Sequence, residues 1–206
     1  GAADLAGNPL AADVTSSFST PAACPCTLYA PTDAPVGGAT QDNPLEVGVK
    51  LRSDEDGWLT SVRFYKQDNN TGTHIGHVWS ASGQQLAEVQ FENETASGWQ
   101  QAQLPSPVPL THDTTYVVSY YSSSGFFAFS PGALTLGLNR SPLHAPAVAI
   151  AGGNGVYRYG ASAFPDQTFN ATSYWVDGTF ERTRPPDRRA PKVSSVTPAA
   201  GAARRS

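Results

Sequence analysis

The chain has 206 residues, with 19 Gly, 17 Pro and no Met, which is room for one core domain of roughly 150 residues with something to spare. Its formal charge of −4 conceals an acidic body: residues 21–181 hold six basic against fourteen acidic groups, while seven of the thirteen Lys and Arg fall at or after Arg182. A body that acidic repels a phosphate backbone, which argues against nucleic acid as a partner, and no apolar run reaches the roughly 20 residues of a membrane span.

Residues 1–20 open with a turn, AGNPL, and an alternating segment, DVTSSFST, that do not read as the start of a domain. With no initiator Met and no leader pattern, the sequence is expected to be a processed product or an internal piece of a longer one. Cys24 and Cys26 are the only cysteines. Two ligands are too few for structural zinc, so a short local disulfide in an oxidising compartment is favoured over free thiols. Such a bridge closes a tiny loop and contributes little entropically; its use is to pin the chain where it enters the domain.

A short strand is expected at 27–29, then a Pro- and Gly-rich loop. Residues 45–66, LEVGVKLRSDEDGWLTSVRFYK, are the best-patterned stretch. Leu45, Val47, Val49 and Leu51 alternate with Glu46, Lys50 and Arg52, the period of a strand with one face on a core and one in water. SDEDG reads as the reversing loop of a hairpin, and Trp58 and Leu59 require a bulge near 59–61 in the second arm. Further strands are expected at 74–81, around Leu86, Val89 and Phe91, at 99–104, at 115–121 and 126–129 flanking an SSSG turn, at 156–159 and at 174–182. Residues 130–153 carry no pattern. Nine or ten short strands at this spacing indicate an all-β fold, an antiparallel two-sheet β-sandwich of jelly-roll type.

Two end segments resemble parts of bacterial Ig-like repeats of the surface-layer type. Asp4, Gly7, Asn8, Pro9, Leu10, Val14, Phe18 and Thr20 are similar to the last hairpin of one repeat; Pro191, Val193, Val196, Pro198 and Gly201 are similar to the opening strand of another. The implied division is 1–20 for the end of a preceding repeat, 21–182 for the β-sandwich, and 183–206 for a basic, Pro-rich linker and the start of a following repeat. Between them, residues 24–181 contain CPCTLY, the 45–66 stretch, NTGTHIGHVWSASGQQLA, NETASGWQQAQL, TTYVVSYY, NGVYRYG, FP and YWVDGTF. On these stretches the segment resembles a bacterial secreted family, domain of unknown function 4082. The resemblance implies a jelly-roll module of a large secreted or cell-surface protein, beside Ig-like and catalytic domains, some of them glycoside-cleaving. Family members often carry a His after the Tyr of the TTYVxSY strand; Tyr121 stands there here, so a site using that His would be altered.

Nothing in the chain marks an enzyme: there is no GxSxG, no HExxH and no phosphate-cradling Gly loop. Asp54, Glu55 and Asp56 are the densest carboxylates, a solvated turn before they are a calcium site, and no cofactor is expected. His74 and His77 face opposite sides of a strand and make a poor metal pair; His112 and His144 fall in turns. Aromatic residues are the remaining lead, because flat rings stack on the C–H faces of sugars while polar groups reach the hydroxyls. Trp58, Trp79 and Trp99 fit a core. In the last third, Tyr157, Arg158, Tyr159, Tyr174 and Trp175 cluster with Asn154 and Asp177, the mixture a ligand cleft needs. The expectation is a non-enzymatic module that binds a glycan or cell-surface polysaccharide through these seven residues. The alternative is a spacer or adhesion module, which predicts that the rings are buried and that no groove exists.

Overall fold

A computed structural model describes residues 23–186; the expected Ig-like fragments at 1–20 and 190–202 lie outside the described residues, and of the expected linker only residues 183–186 lie within them. The described residues form thirteen strands: β1 (Ala39–Gln41), β2 (Leu45–Ser53), β3 (Gly57–Lys66), β4 (His74–Ser80), β5 (Gln85–Gln90), β6 (Gly98–Leu110), β7 (Tyr116–Ser122), β8 (Phe126–Ala128), β9 (Leu138–Arg140), β10 (Leu143–Ala145), β11 (Val156–Tyr159), β12 (Gln167–Thr168) and β13 (Val176–Glu181). One helical turn, α1 (Val148–Ala151), precedes β11. Among the described residues no helix is long and apolar enough to cross a membrane.

The larger sheet runs β12-β11-β2-β7-β4-β5, with β10 on β2 and β9 on β10; the smaller runs β13-β3-β6; β1 and β8 form a separate ribbon. All pairings are antiparallel. The two sheets pack face to face. Val47, Val49 and Leu51 of β2 and Val118 and Tyr120 of β7 meet Val62 and Phe64 of β3 and Phe180 of β13 in one buried core. Phe64 stacks on Tyr120 across the gap, with centroids 4.2 Å apart, and takes Phe91 on its edge at 4.8 Å. Rings meeting in these geometries add roughly 1 kcal/mol beyond their buried area. Gly76 of β4 gives the core room here, since a Cβ would press on Val62 and Phe91. The architecture is therefore an antiparallel β-sandwich, an eight-stranded sheet against a three-stranded one.

The 45–66 stretch contains the two expected strands and the expected bulge, as a register shift between Leu59 and Ser61. It is not a hairpin. β2 pairs with β7, β10 and β11, whereas β3 pairs with β6 and β13, so residues 54–56 arch from one sheet to the other. Alternation reveals that a strand has a core face but not which strand lies beside it. Nor is the polar face of β2 in water: Glu46 is fully buried and Lys50 and Arg52 are half-buried, because residues 146–168 fold back over that face. The expected SSSG turn forms between β7 and β8, closed by the Gly125 N–H on the Ser122 carbonyl at 3.2 Å, but β8 then pairs with β1 rather than with β7. The expected strand at 27–29 does not form. Its Leu28 and Tyr29 N–H groups donate instead to the Asp177 carboxylate, both at 3.1 Å, which satisfies the backbone without a partner strand.

The unpatterned 130–153 segment contains β9, β10 and α1 and completes the second edge of β2. Along that edge β11 pairs with Leu45 to Gly48 and β10 with Arg52 and Ser53. Between them the side chain of Asn154 stands in for a strand: its Oδ1 accepts the Lys50 N–H at 2.9 Å and its Nδ2 donates to the Lys50 carbonyl at 3.1 Å.

Candidate functional site

An aromatic groove of about 340 Å³ opens where β11, the β1–β8 ribbon and the 169–174 loop converge. β11 lies antiparallel to β2 with Tyr157 opposite Val47 and Tyr159 opposite Leu45, so both tyrosines share the core-side face of that strand. β8 and the turn after it supply Phe127, Phe129 and Pro131, and the loop supplies Phe169, Thr172 and Tyr174; Thr40 and Leu45 complete the wall. Gly155, at φ +74°, permits this convergence. Any Cβ there would overlap the Thr172 carbonyl oxygen, so only glycine brings the loop against the start of β11.

The rings form a connected set. Tyr157 meets Tyr159 edge-on at 5.6 Å and Tyr174 at 6.3 Å, while Phe127 meets Tyr174 at 5.7 Å. Tyr174 is 6% exposed and forms the floor; Tyr159 at 44% and Phe169 at 64% present broad ring surface to solvent. Polar groups are sparse and specific. The Tyr159 hydroxyl donates to Asp42 Oδ2 at 2.5 Å at the mouth of the groove. That bond, reinforced by burial, pushes the Tyr159 phenol up to about 12, and it holds the Asp42 carboxyl below its ordinary value. Burial, with the Tyr157 and Tyr159 phenols nearby, raises Tyr174 as well. The Tyr159 and Tyr174 hydroxyls therefore stay protonated at neutral pH and can donate as well as accept. No charged side chain lines the wall.

Of the seven residues expected to bind glycan, the fold brings Tyr157, Tyr159 and Tyr174 together and sends the other four elsewhere. Arg158 points to the opposite face of β11, exposed, 3.5 Å from Asp166. Asn154 is fully buried; besides its Lys50 bonds it donates to the Pro146 carbonyl and accepts from the Gly155 N–H, so its hydrogen-bonding capacity is used. Trp175 is 7% exposed, stacks on Tyr29 at 4.7 Å and donates its Nε1–H to Ser130. Asp177 lies under the smaller sheet, where it accepts from Arg63 at 3.0 Å and from the N–H groups of Leu28, Tyr29 and Gly178. Phe127, Phe129, Phe169 and Thr172 were not among the seven. The FFAF run of 126–129 is the sequence signal that could have pointed to the first two.

The acidic turn disperses. Asp54 pairs with His144 at 2.6 Å, Glu55 with Arg182 at 2.7 Å, and Asp56 accepts the His112 N–H at 2.7 Å. Among the described residues no three His, Cys, Asp or Glu side chains are arranged to hold a metal. His74 is buried between Glu94 and Asn70, bracing the Lys66–Glu94 pair. Cys24 and Cys26 are disulfide-bonded, beside the Cys26–Phe180 bridge that ties the entering chain to β13.

A family model described as a domain of unknown function, DUF4082, matches residues 32–176. The chain belongs to that family. The matched span reaches from before β1 to the first residue of β13 and contains the whole DUF4082 groove. No curated protein and no solved structure matches.

Proposed function

We propose that this DUF4082 domain is a binding module of a secreted or cell-surface protein, non-catalytic at its groove, and that the groove takes a glycan. The observation that carries the reading is the open aromatic wall: Tyr159 and Phe169 expose ring faces that a folded chain gains stability by burying. A cavity of about 340 Å³ lies at the lower end of the size of small-ligand pockets and suits one or two sugar rings. Pyranose C–H faces would lie on Tyr159 and Phe169, with hydroxyls reaching the phenols of Tyr157 and Tyr174, Thr40, Thr172 and Asp42. A wall without cations favours a neutral saccharide over a polyanion. A spacer has no use for such a groove. The Cys24–Cys26 bridge supports an oxidising compartment, and Ig-like and catalytic domains of the same protein are the proposed neighbours.

Polysaccharide pull-down and a glycan array test the reading. Retention on a neutral glycan, lost in Tyr159→Ala and Phe169→Ala but kept in Arg158→Ala, is expected. No retention on any glycan, or retention indifferent to both ring substitutions, overturns it.

A further inference from the structure

The outer face of the larger sheet carries a second polar assembly, on residues far apart in the chain. Glu46 of β2 is fully buried, and its Oε1 accepts from His77 of β4, whose Nδ1 is 2.8 Å away, and from the Ser119 hydroxyl of β7 at 2.6 Å. His77 is 2% exposed and is braced by Trp79, with ring centroids 5.1 Å apart; the Trp79 indole N–H is in turn fixed on Ser119 at 2.7 Å. The other imidazole nitrogen, Nε2, faces the Ser162 hydroxyl at 3.4 Å. Ser162 sits on an exposed loop between Gly160–Ala161 and Ala163, with no bulky neighbour until Phe164.

We infer that Ser162, His77 and Glu46 form a serine nucleophile with its base and orienting carboxylate, competent for acyl transfer from small esters. The nitrogens are assigned as that chemistry requires: the carboxylate accepts from Nδ1–H, which fixes the tautomer and leaves the Nε2 lone pair toward the hydroxyl. Two further contacts belong to the same site. Ser162 Oγ lies 3.1 Å from Glu46 Oε2, and Glu88, on a mostly exposed side chain, places Oε2 3.5 Å from His77 Nε2. The Ser162 proton thus has two acceptors, and the reactive arrangement is the one in which it goes to Nε2.

The step balances without an added redox partner. Ser162 Oγ adds to the ester carbonyl as its proton passes to His77 Nε2. The ester C–O bond breaks, the departing alcohol takes that proton, and the acyl group stays on Oγ. Water then attacks the acyl-serine with His77 again as base, releasing the acid and restoring the hydroxyl. Ser162 is exposed while His77 and Glu46 are buried beneath it, so the substrate class is short-chain acyl esters presented on a small molecule or a polymer surface. The site is separate from the aromatic groove and does not depend on the glycan reading.

The test uses the whole 206-residue chain with a fluorophosphonate probe and p-nitrophenyl acetate, read by intact mass and peptide mapping. One probe adds to Ser162, none to Ser162→Ala, and His77→Gln slows labelling by about 100-fold, the size of a general base's contribution. Because Ser162 is exposed, Ser162→Ala keeps its fold, which circular dichroism checks. Glu46→Gln slows labelling and also removes the downfield Nδ1–H resonance of His77 from the proton NMR spectrum, a signature that packing alone would not supply. No label on Ser162, or labelling unaffected by His77→Gln in a folded variant, overturns the inference.

Discussion

Arg63→Met isolates what the buried ion pair under the smaller sheet contributes. The Arg63 guanidinium is 3.0 Å from Asp177 and 4.4 Å from the centre of the Trp99 ring, and both charged side chains are almost wholly out of water. Methionine keeps the length of the stem and removes the charge, leaving Asp177 with only the three backbone N–H donors. Removing one partner of a buried pair costs roughly 3–5 kcal/mol; those remaining donors place this case near the lower end, about 3 kcal/mol, or on the order of 10 °C in Tm for a domain of this size. The cost depends on pH with a definite sign. Burial pushes the Asp177 carboxyl up to about 6, against the opposing pull of Arg63 and the backbone N–H groups, from an ordinary value of 3.8. The folded state therefore binds the proton more tightly than the unfolded chain. This group's favourable contribution is full below about pH 4 and is lost as pH rises through about 6. Without Arg63 the carboxyl rises further, so the loss steepens. Thermal unfolding of Arg63→Met should show its full destabilisation near pH 8 and a much smaller one near pH 5, and adding Asp177→Asn should recover most of the difference at the higher pH. An equal penalty at both values would refute the reasoning.

Two other stability predictions follow from the fold. Asn154→Ala strands the Lys50 N–H and carbonyl, the Pro146 carbonyl and the Gly155 N–H beside β2; at roughly 1–3 kcal/mol for each buried group left unpaired, the midpoint of urea unfolding should fall by more than any exposed substitution achieves. Replacing Cys24 and Cys26 together by Ser opens a loop of sequence separation 2, so chemical denaturation should register a loss of no more than about 2 kcal/mol.

Strand existence was legible in the sequence because alternation and β-branched runs are local. β11 and β4 fall where the pattern puts them, and the bulge at Leu59–Ser61 follows from two adjacent large apolar residues that cannot share a face. Pairing was not legible: β2 and β3 look like a hairpin until one sees that each spends its hydrogen bonds in a different sheet. Burial of Glu46 was invisible for the same reason, since the loop covering it lies more than 100 positions away. The site divides along this line. Tyr157 and Tyr159 share a face by strand periodicity, and so entered the groove as read. Trp175 and Asp177 carry the same residue chemistry, but Trp175 sits at φ +54°, which turns its ring onto Tyr29, and Asp177 meets an arginine contributed by another strand. Ser162, His77 and Glu46 share no motif at all; only the closed sheet brings them within contact.

Filling the groove tests its role most directly. Thr40 is exposed on the groove wall, so Thr40→Trp occupies the space without disturbing the core. Affinity electrophoresis against a glycan that retains the native protein should show retention abolished in Thr40→Trp at an unchanged melting temperature, and unchanged retention in a still-folded Arg63→Met. Retention that survives in Thr40→Trp would contradict the account, because the ligand would then bind somewhere other than this groove.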